Sequence, residues 1–172
     1  MSGSYTIPLS GLKEGRHNID LEIGNEFFEL FEESEIKEGS LTANIEIDKL
    51  SSHLDIMIRI SGNVSICCDR CLEMFLHPIE CRNRLLVKFG NSMEETDPDI
   101  LSVSPDENEL DLQQHIYEFI YLALPIRRVH PIVNGKSTCD PVMLKKLEEH
   151  IIDEDKKIDP RWDDLKKLLN DN

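Results

Sequence analysis

Between Asn91 and Ile126 the chain has no lysine or arginine, although nine acidic residues fall in that stretch. Basic residues are scarce throughout: 19 against 34 acids give a formal net charge of −15 over 172 residues. A surface of that sign repels phosphate backbones at long range, which excludes nucleic-acid binding through the whole molecular face. No apolar run reaches membrane-spanning length, and Met1-Ser2-Gly3-Ser4-Tyr5 has neither the basic region nor the apolar core of a signal peptide. The five cysteines are odd in number and clustered, unlike the spread framework of a disulfide-stapled domain. There is no glycine-rich phosphate loop, no nucleophile elbow and no paired constellation for general acid–base catalysis. The aromatics fall at core-type positions and not on a base-stacking platform. The expectation is a soluble, cytoplasmic, non-enzymatic protein with reduced thiols, no membrane attachment and no small-molecule substrate.

The first half of the chain alternates with a period of two. Ile19, Leu21 and Ile23 share one face, as do Leu41, Ala43, Ile45 and Ile47, and then Leu54, Ile56, Ile58, Ile60, Val64 and Ile66. Phe75, Ile79, Leu85, Val87 and Phe89 continue the pattern, with Cys81 packed on the inward period. Asn25 to Glu33 reads as a short helix between strands. Asn91 to Glu109 is acidic, holds Pro98 and Pro105, and offers only Ile100, Leu101 and Val103 as an apolar cluster for an edge strand. Asp111 can cap the next helix, with Gln114 reaching back, a core stripe of Leu112, Ile116, Phe119, Ile120 and Ala123, and a stop at Pro125. Asp140-Pro141 and Asp159-Pro160 pair an N-cap with a proline at the first helical position. They open amphipathic helices bearing Leu144, Leu147 and Ile151, and Trp162, Leu165, Leu168 and Leu169. The fold class is therefore α+β: an antiparallel, curled or barrel-like sheet in the N-terminal half and three helices in the C-terminal half. Residues 1–90 form the β-rich core, 91–109 an acidic flexible insertion, and 110–172 a helical segment packing on the sheet.

Reactive groups concentrate in Cys67-Cys68-Asp69-Arg70-Cys71. Cys68 and Cys71 have the spacing that lets two thiolates converge on one metal or on each other. The best further donors are His130 and Cys139, in an irregular segment between Pro125 and the cap at Asp140, although their separation is too wide for a compact second knuckle. Zinc held by Cys68, Cys71, His130 and Cys139 is one reading, and reduced structural cysteines without metal are another. A thiol-redox site at Cys68 and Cys71 is a third, but that needs the CxxC at the start of a helix, and Leu72 to Phe89 reads as strand. Cys67 is a bystander, and His17, His53, His77, His115 and His150 lack partners at ligand spacing. Both donor-bearing segments are locally basic: five bases against three acids from Arg59 to Lys88, and three bases with no acid from Arg127 to Cys139. Arg70, Arg82, Arg84, Arg127, Arg128 and Lys136 are the candidate partner-binding residues. Arg70, Arg127 and Arg128 are expected to share one exposed patch.

Cys68-Asp69-Arg70-Cys71-Leu72-Glu73-Met74-Phe75-Leu76-His77-Pro78-Ile79 resembles the CxRC-L-x-x-F signature of the YceD family, the large ribosomal RNA subunit accumulation proteins. Ile7-Pro8-Leu9-Ser10-Gly11-Leu12 is similar to that family's amino terminus. Leu122-Ala123-Leu124-Pro125-Ile126, followed by His130 and Cys139, resembles its carboxyl-terminal segment, as does Asp159-Pro160-Arg161-Trp162. Many members carry a cysteine-rich run after the Leu-Pro, where this chain offers only His130 and Cys139. The resemblance implies a non-enzymatic role in accumulating large-subunit ribosomal RNA. The charge suits a basic ribosomal protein as direct partner, or large-subunit ribosomal RNA if the basic segments form a local footprint. A structural zinc module unrelated to the ribosome is the remaining alternative.

Overall fold

A computed structural model describes residues 5–90, 100–104 and 107–151. Five strands form the main sheet: β2 (Gly15–Ile23), β3 (Gly39–Lys49), β4 (His53–Cys67), β5 (Met74–Phe89) and β6 (Ile100–Val103), in that spatial order. The alternation read from the sequence places one face of this sheet inside. Leu41, Ala43, Ile45, Ile47, Leu54, Ile56, Ile58, Ile60, Val64, Ile66, Ile79, Leu85 and Val87 are all buried. Truncating any one of the isoleucines to alanine costs about 2–5 kcal/mol by transfer and cavity terms.

Helix α1 (Asn25–Glu29) sets Phe27 and Phe28 under the sheet, both fully buried, with Tyr5 edge-on to Phe27 at 4.7 Å. It ends sooner than the expected Glu33 because the chain turns there: Ser34 donates its backbone N–H to Phe31 O and its hydroxyl to Ile36 O. Helix α2 (Gln113–Leu122) buries Ile116 and Ile120 and lies against β5. Strand β1 (Thr6–Pro8) pairs antiparallel with β7 (Glu109–Asp111), adding Ile7 and Leu110 to the same core.

The sheet is open, with β2 and β6 at its edges, so the barrel-like closure expected from the alternation does not form. Alternation fixes which face is buried but not whether the first and last strands meet. Nor is the sheet wholly antiparallel: β6, built on the apolar Ile100, Leu101 and Val103, runs parallel to β5. Of the three helices described, one lies in the N-terminal half and two in the C-terminal half, α2 and α3 (Pro141–His150). The expected helix with Trp162 and Leu165 lies outside the described residues, as do residues 91–99 of the acidic segment. The N-cap of α2 is Leu112, without a side-chain cap bond, and not the expected Asp111, which stands one residue earlier and accepts the N–H of Gln113 at 2.8 Å; Gln114 donates to Glu118 and does not reach back. No described helix is long and apolar enough to cross a membrane.

Strand β4 carries one position that only glycine fits. Gly62 pairs with Leu41 at φ +147°, and a methyl group there would run into the Ser40 carbonyl oxygen and the Leu41 Cα. Gly62→Ala should lower unfolding free energy by about 2 kcal/mol or more. A denaturant titration that gives the same midpoint for both proteins would contradict this placement of β4 against β3.

Candidate metal centre

Residues 68–73 turn the chain from β4 into β5. Cys68 donates its N–H to Glu73 O at 3.0 Å, and Leu72 donates its N–H to Cys68 O at 2.9 Å. The turn requires a left-handed residue, and Leu72 supplies it at φ 62°, itself 66% exposed. A non-glycine residue in that region costs about 1 kcal/mol or more, so the surrounding contacts impose the conformation. Its effect is to fold Cys68 and Cys71 inward, where both are buried.

The second pair of donors comes from the segment after α2. Asp69 donates its N–H to Arg128 O at 2.7 Å, and Arg128 returns its own N–H to the Asp69 carboxylate at 2.7 Å. This reciprocal pair pins the chain beside the knuckle and delivers His130. Beyond it, Ile132–Val133 (β8) and Lys136–Ser137 (β9) form a small hairpin. Its two-residue turn, Asn134-Gly135, sits at φ 51° and 76°, as a type I′ turn demands. The hairpin spans the wide separation that the sequence left unexplained and brings Cys139 back beside Cys68. Helix α3 starts at once, with Asp140 accepting the N–H groups of Val142 and Met143 and Pro141 at the first position, as expected.

The outcome is a four-donor cluster. Cys71 Sγ lies 3.4 Å from His130 Nδ1, Cys68 Sγ lies 3.8 Å from Cys139 Sγ, and all four ligand atoms fall within 4.8 Å of one another. A tetrahedral thiolate shell with metal–sulfur bonds of ~2.3 Å has S···S edges of ~3.8 Å, so the donors are spaced to hold a metal ion. Among the described residues no other group of three or more histidine, cysteine or acidic side chains is so placed. The three cysteines form an apolar cluster distinct from the main core, with Phe75, Val129, Met143 and Leu144 packed against it. The Phe75 ring lies 4.6 Å from that of His130 and helps fix the imidazole.

Electrostatics separate the thiols. Burial pushes the Cys68 thiol up, but the N–H groups of Cys71 and Arg70, together with His130, outweigh it and hold its pKa at about 5. Burial raises Cys71, and the neighbouring Cys68 and Cys139 thiols add to that against the N–H groups of Glu73 and Asp140. Backbone N–H groups therefore converge on these sulfurs as they do on metal-bound thiolates. Cys67 stays outside, exposed, its thiol directed at Leu72 O. Cys81 is half-buried on β5 and packs against the main core.

The six candidate partner-binding residues do not gather in one place. Arg82 and Arg84 lie well along β5: Arg82 donates to Met57 Sδ, and Arg84 makes a two-point pair with Asp55. At ~3.3 Å per residue they stand more than ~25 Å along the strand from Met74 at the knuckle end. Arg70, Arg127 and Lys136 make no ion pair among the described residues. Arg128 departs from the expected full exposure, with its side chain 28% exposed and its guanidinium bound to Glu35. Glu35 in turn donates its N–H to the Tyr121 hydroxyl at 2.6 Å. Asp69 lies inside the knuckle motif but was given no role from the sequence, and Glu35 and Tyr121 were not read as parts of the site because no local pattern marks them. Arg128→Ala should lower the melting temperature by about 3 °C, or ~1 kcal/mol, whereas Arg127→Ala should leave it unchanged. Equal melting of the two variants would show that the Glu35 contact holds nothing together.

A family model described as "Large ribosomal RNA subunit accumulation protein YceD" matches residues 56–169, a span that includes all four donors and both basic segments. Searches of curated proteins and of solved structures gave no match.

Proposed function

The chain belongs to the YceD family of large ribosomal RNA subunit accumulation proteins, and on that footing we propose that it supports large-subunit assembly in the cytoplasm by binding, not catalysis. The cluster of Cys68, Cys71, His130 and Cys139 holds zinc, the ion that three thiolates and one imidazole suit best. Its role is structural, because all four donors come from the protein and no position is kept for water or substrate. Reduced cysteines without metal would leave three thiols crowded in one apolar pocket. A thiol-redox role has less support, since the CxxC lies on a turn between strands and lacks the helix terminus that would activate it.

The observation that carries the reading is the Asp69–Arg128 pairing. It links the knuckle turn that bears Arg70 to the segment that bears Arg127, which supports reading these two arginines as a local footprint on a chain at −15, with Arg128 already paired to Glu35. That footprint contacts ribosomal RNA phosphate. The acidic remainder faces a basic ribosomal protein, and it discourages non-specific nucleic-acid binding elsewhere. Arg82 and Arg84 add to the footprint only if the RNA extends along β5.

Protein purified without chelator should contain about one equivalent of zinc, and Cys139→Ser should lose most of it along with several kcal/mol of stability. Less than about a tenth of an equivalent, with stability indifferent to added zinc, would refute the metal. For the footprint, Arg127→Glu is the cleaner probe because Arg128 is structurally engaged. It should weaken co-sedimentation with large-subunit precursors and reduce the salt slope of RNA binding by about one unit. Unchanged co-sedimentation would move the contact surface elsewhere.

A further inference from the structure

The hairpin between His130 and Cys139 serves neither apolar core. Every residue from Pro131 to Thr138 is exposed, and Ile132 and Val133 are open to solvent at 74% and 51%. Two strands of two residues are too short to persist alone. This pair is held by its Asn134-Gly135 turn, by the Thr138 hydroxyl donating to Pro131 O at 2.9 Å, and by its two feet in the donor cluster. Ile126, wholly exposed, and Arg127 precede it, and Lys136 lies on its return strand. From Arg127 to Cys139 there is no acidic residue, although acids outnumber bases by 34 to 19 in the chain. Val133 stands directly across from Lys136, so a branched apolar side chain and a cation share one face of the hairpin, while Ile132 stands across from Ser137 on the other face.

We propose that residues 131–138 form a finger that contacts RNA from both of its faces, with Val133 against an unstacked base beside a phosphate held by Lys136, and Ile132 against a second base on the opposite face. The inference rests on the large-subunit RNA reading above and assigns the contact to a surface. The acid-free character of the segment selects a polyanion. A looped nucleotide offers negative phosphate and a flat apolar base face together, which the mixed apolar and basic display matches. A two-stranded ribbon does not enter the deep, narrow major groove of double-helical RNA, so the target is a looped or unstacked segment. The donor cluster presents the finger, since both of its feet are metal-ligand candidates.

The test uses the full chain loaded with zinc, and large-subunit ribosomal RNA transcribed in vitro as the probe, with binding measured at two salt concentrations. Ile132→Ser combined with Val133→Ser should weaken binding about tenfold while leaving the salt slope, zinc content and melting temperature unchanged. Lys136→Glu should reduce the salt slope by about one unit. If both variants bind as wild type while Arg127→Glu weakens binding, the finger is refuted and the RNA footprint stands. If the wild-type protein binds no RNA but captures a basic ribosomal protein, the finger and the RNA reading both fail. Should the double variant lose zinc, Lys136→Glu decides alone, and an unchanged slope overturns the proposal.

Discussion

The segment that follows α2 has almost no hydrophobic anchorage of its own. After Ile120, Cys139 is the one buried residue among those described, and α3 buries none. The β8–β9 hairpin is exposed on both strands. What attaches this segment is the convergence of His130 and Cys139 on Cys68 and Cys71, the backbone exchange between Asp69 and Arg128, and the Arg128–Glu35 pair. The small apolar cluster of Phe75, Val129, Met143 and Leu144 encloses the donors but is far smaller than the main core. A metal ion joining four side chains would supply the binding energy that this segment does not obtain from burial.

The charge distribution follows the same division. Strands β2 and β3 carry acids on their outer face: Asp20 receives the Asn44 amide, Glu46 pairs with Arg59, and Asp48 with Arg16. Such exposed pairs contribute little to stability, and their effect is on the field the molecule presents. At the knuckle end, Arg70, Arg127 and Lys136 remain without ion-pair partners among the described residues. Lys13, Lys37, Lys49, Lys88, Lys145 and Lys146 likewise make no ion pair among the described residues, so it is the Asp69–Arg128 link between the two arginine-bearing segments, and not pairing alone, that marks the knuckle end.

Local patterns carried much of this architecture. The period-two alternation from Leu41 to Val87 gave the strands and their buried face, because a half-buried strand leaves its imprint residue by residue. The cap at Asp140-Pro141 was legible for the same reason, since a helix start is satisfied by its own neighbours. The four donors were legible from chemistry alone, as side-chain types that share one kind of ligand. Long-range facts were not. Whether β2 meets β6, that β6 runs parallel to β5, and that Glu35 reaches across to Arg128 all depend on how distant segments pack. The Asn134-Gly135 turn is the signal that could have explained the gap between His130 and Cys139, because that dipeptide closes a hairpin and brings its flanks together.

If the donor cluster anchors the C-terminal segment, removing its metal should free that segment while leaving the sheet intact. Amide hydrogen exchange of the zinc-loaded chain, before and after chelation, measures both at once. The account predicts that amides from Arg127 to Ile151 lose protection on chelation, while those of β3 and β4, from Gly39 to Cys67, keep theirs. Unchanged protection from Arg127 to Ile151, or simultaneous loss across β3 and β4, would contradict it.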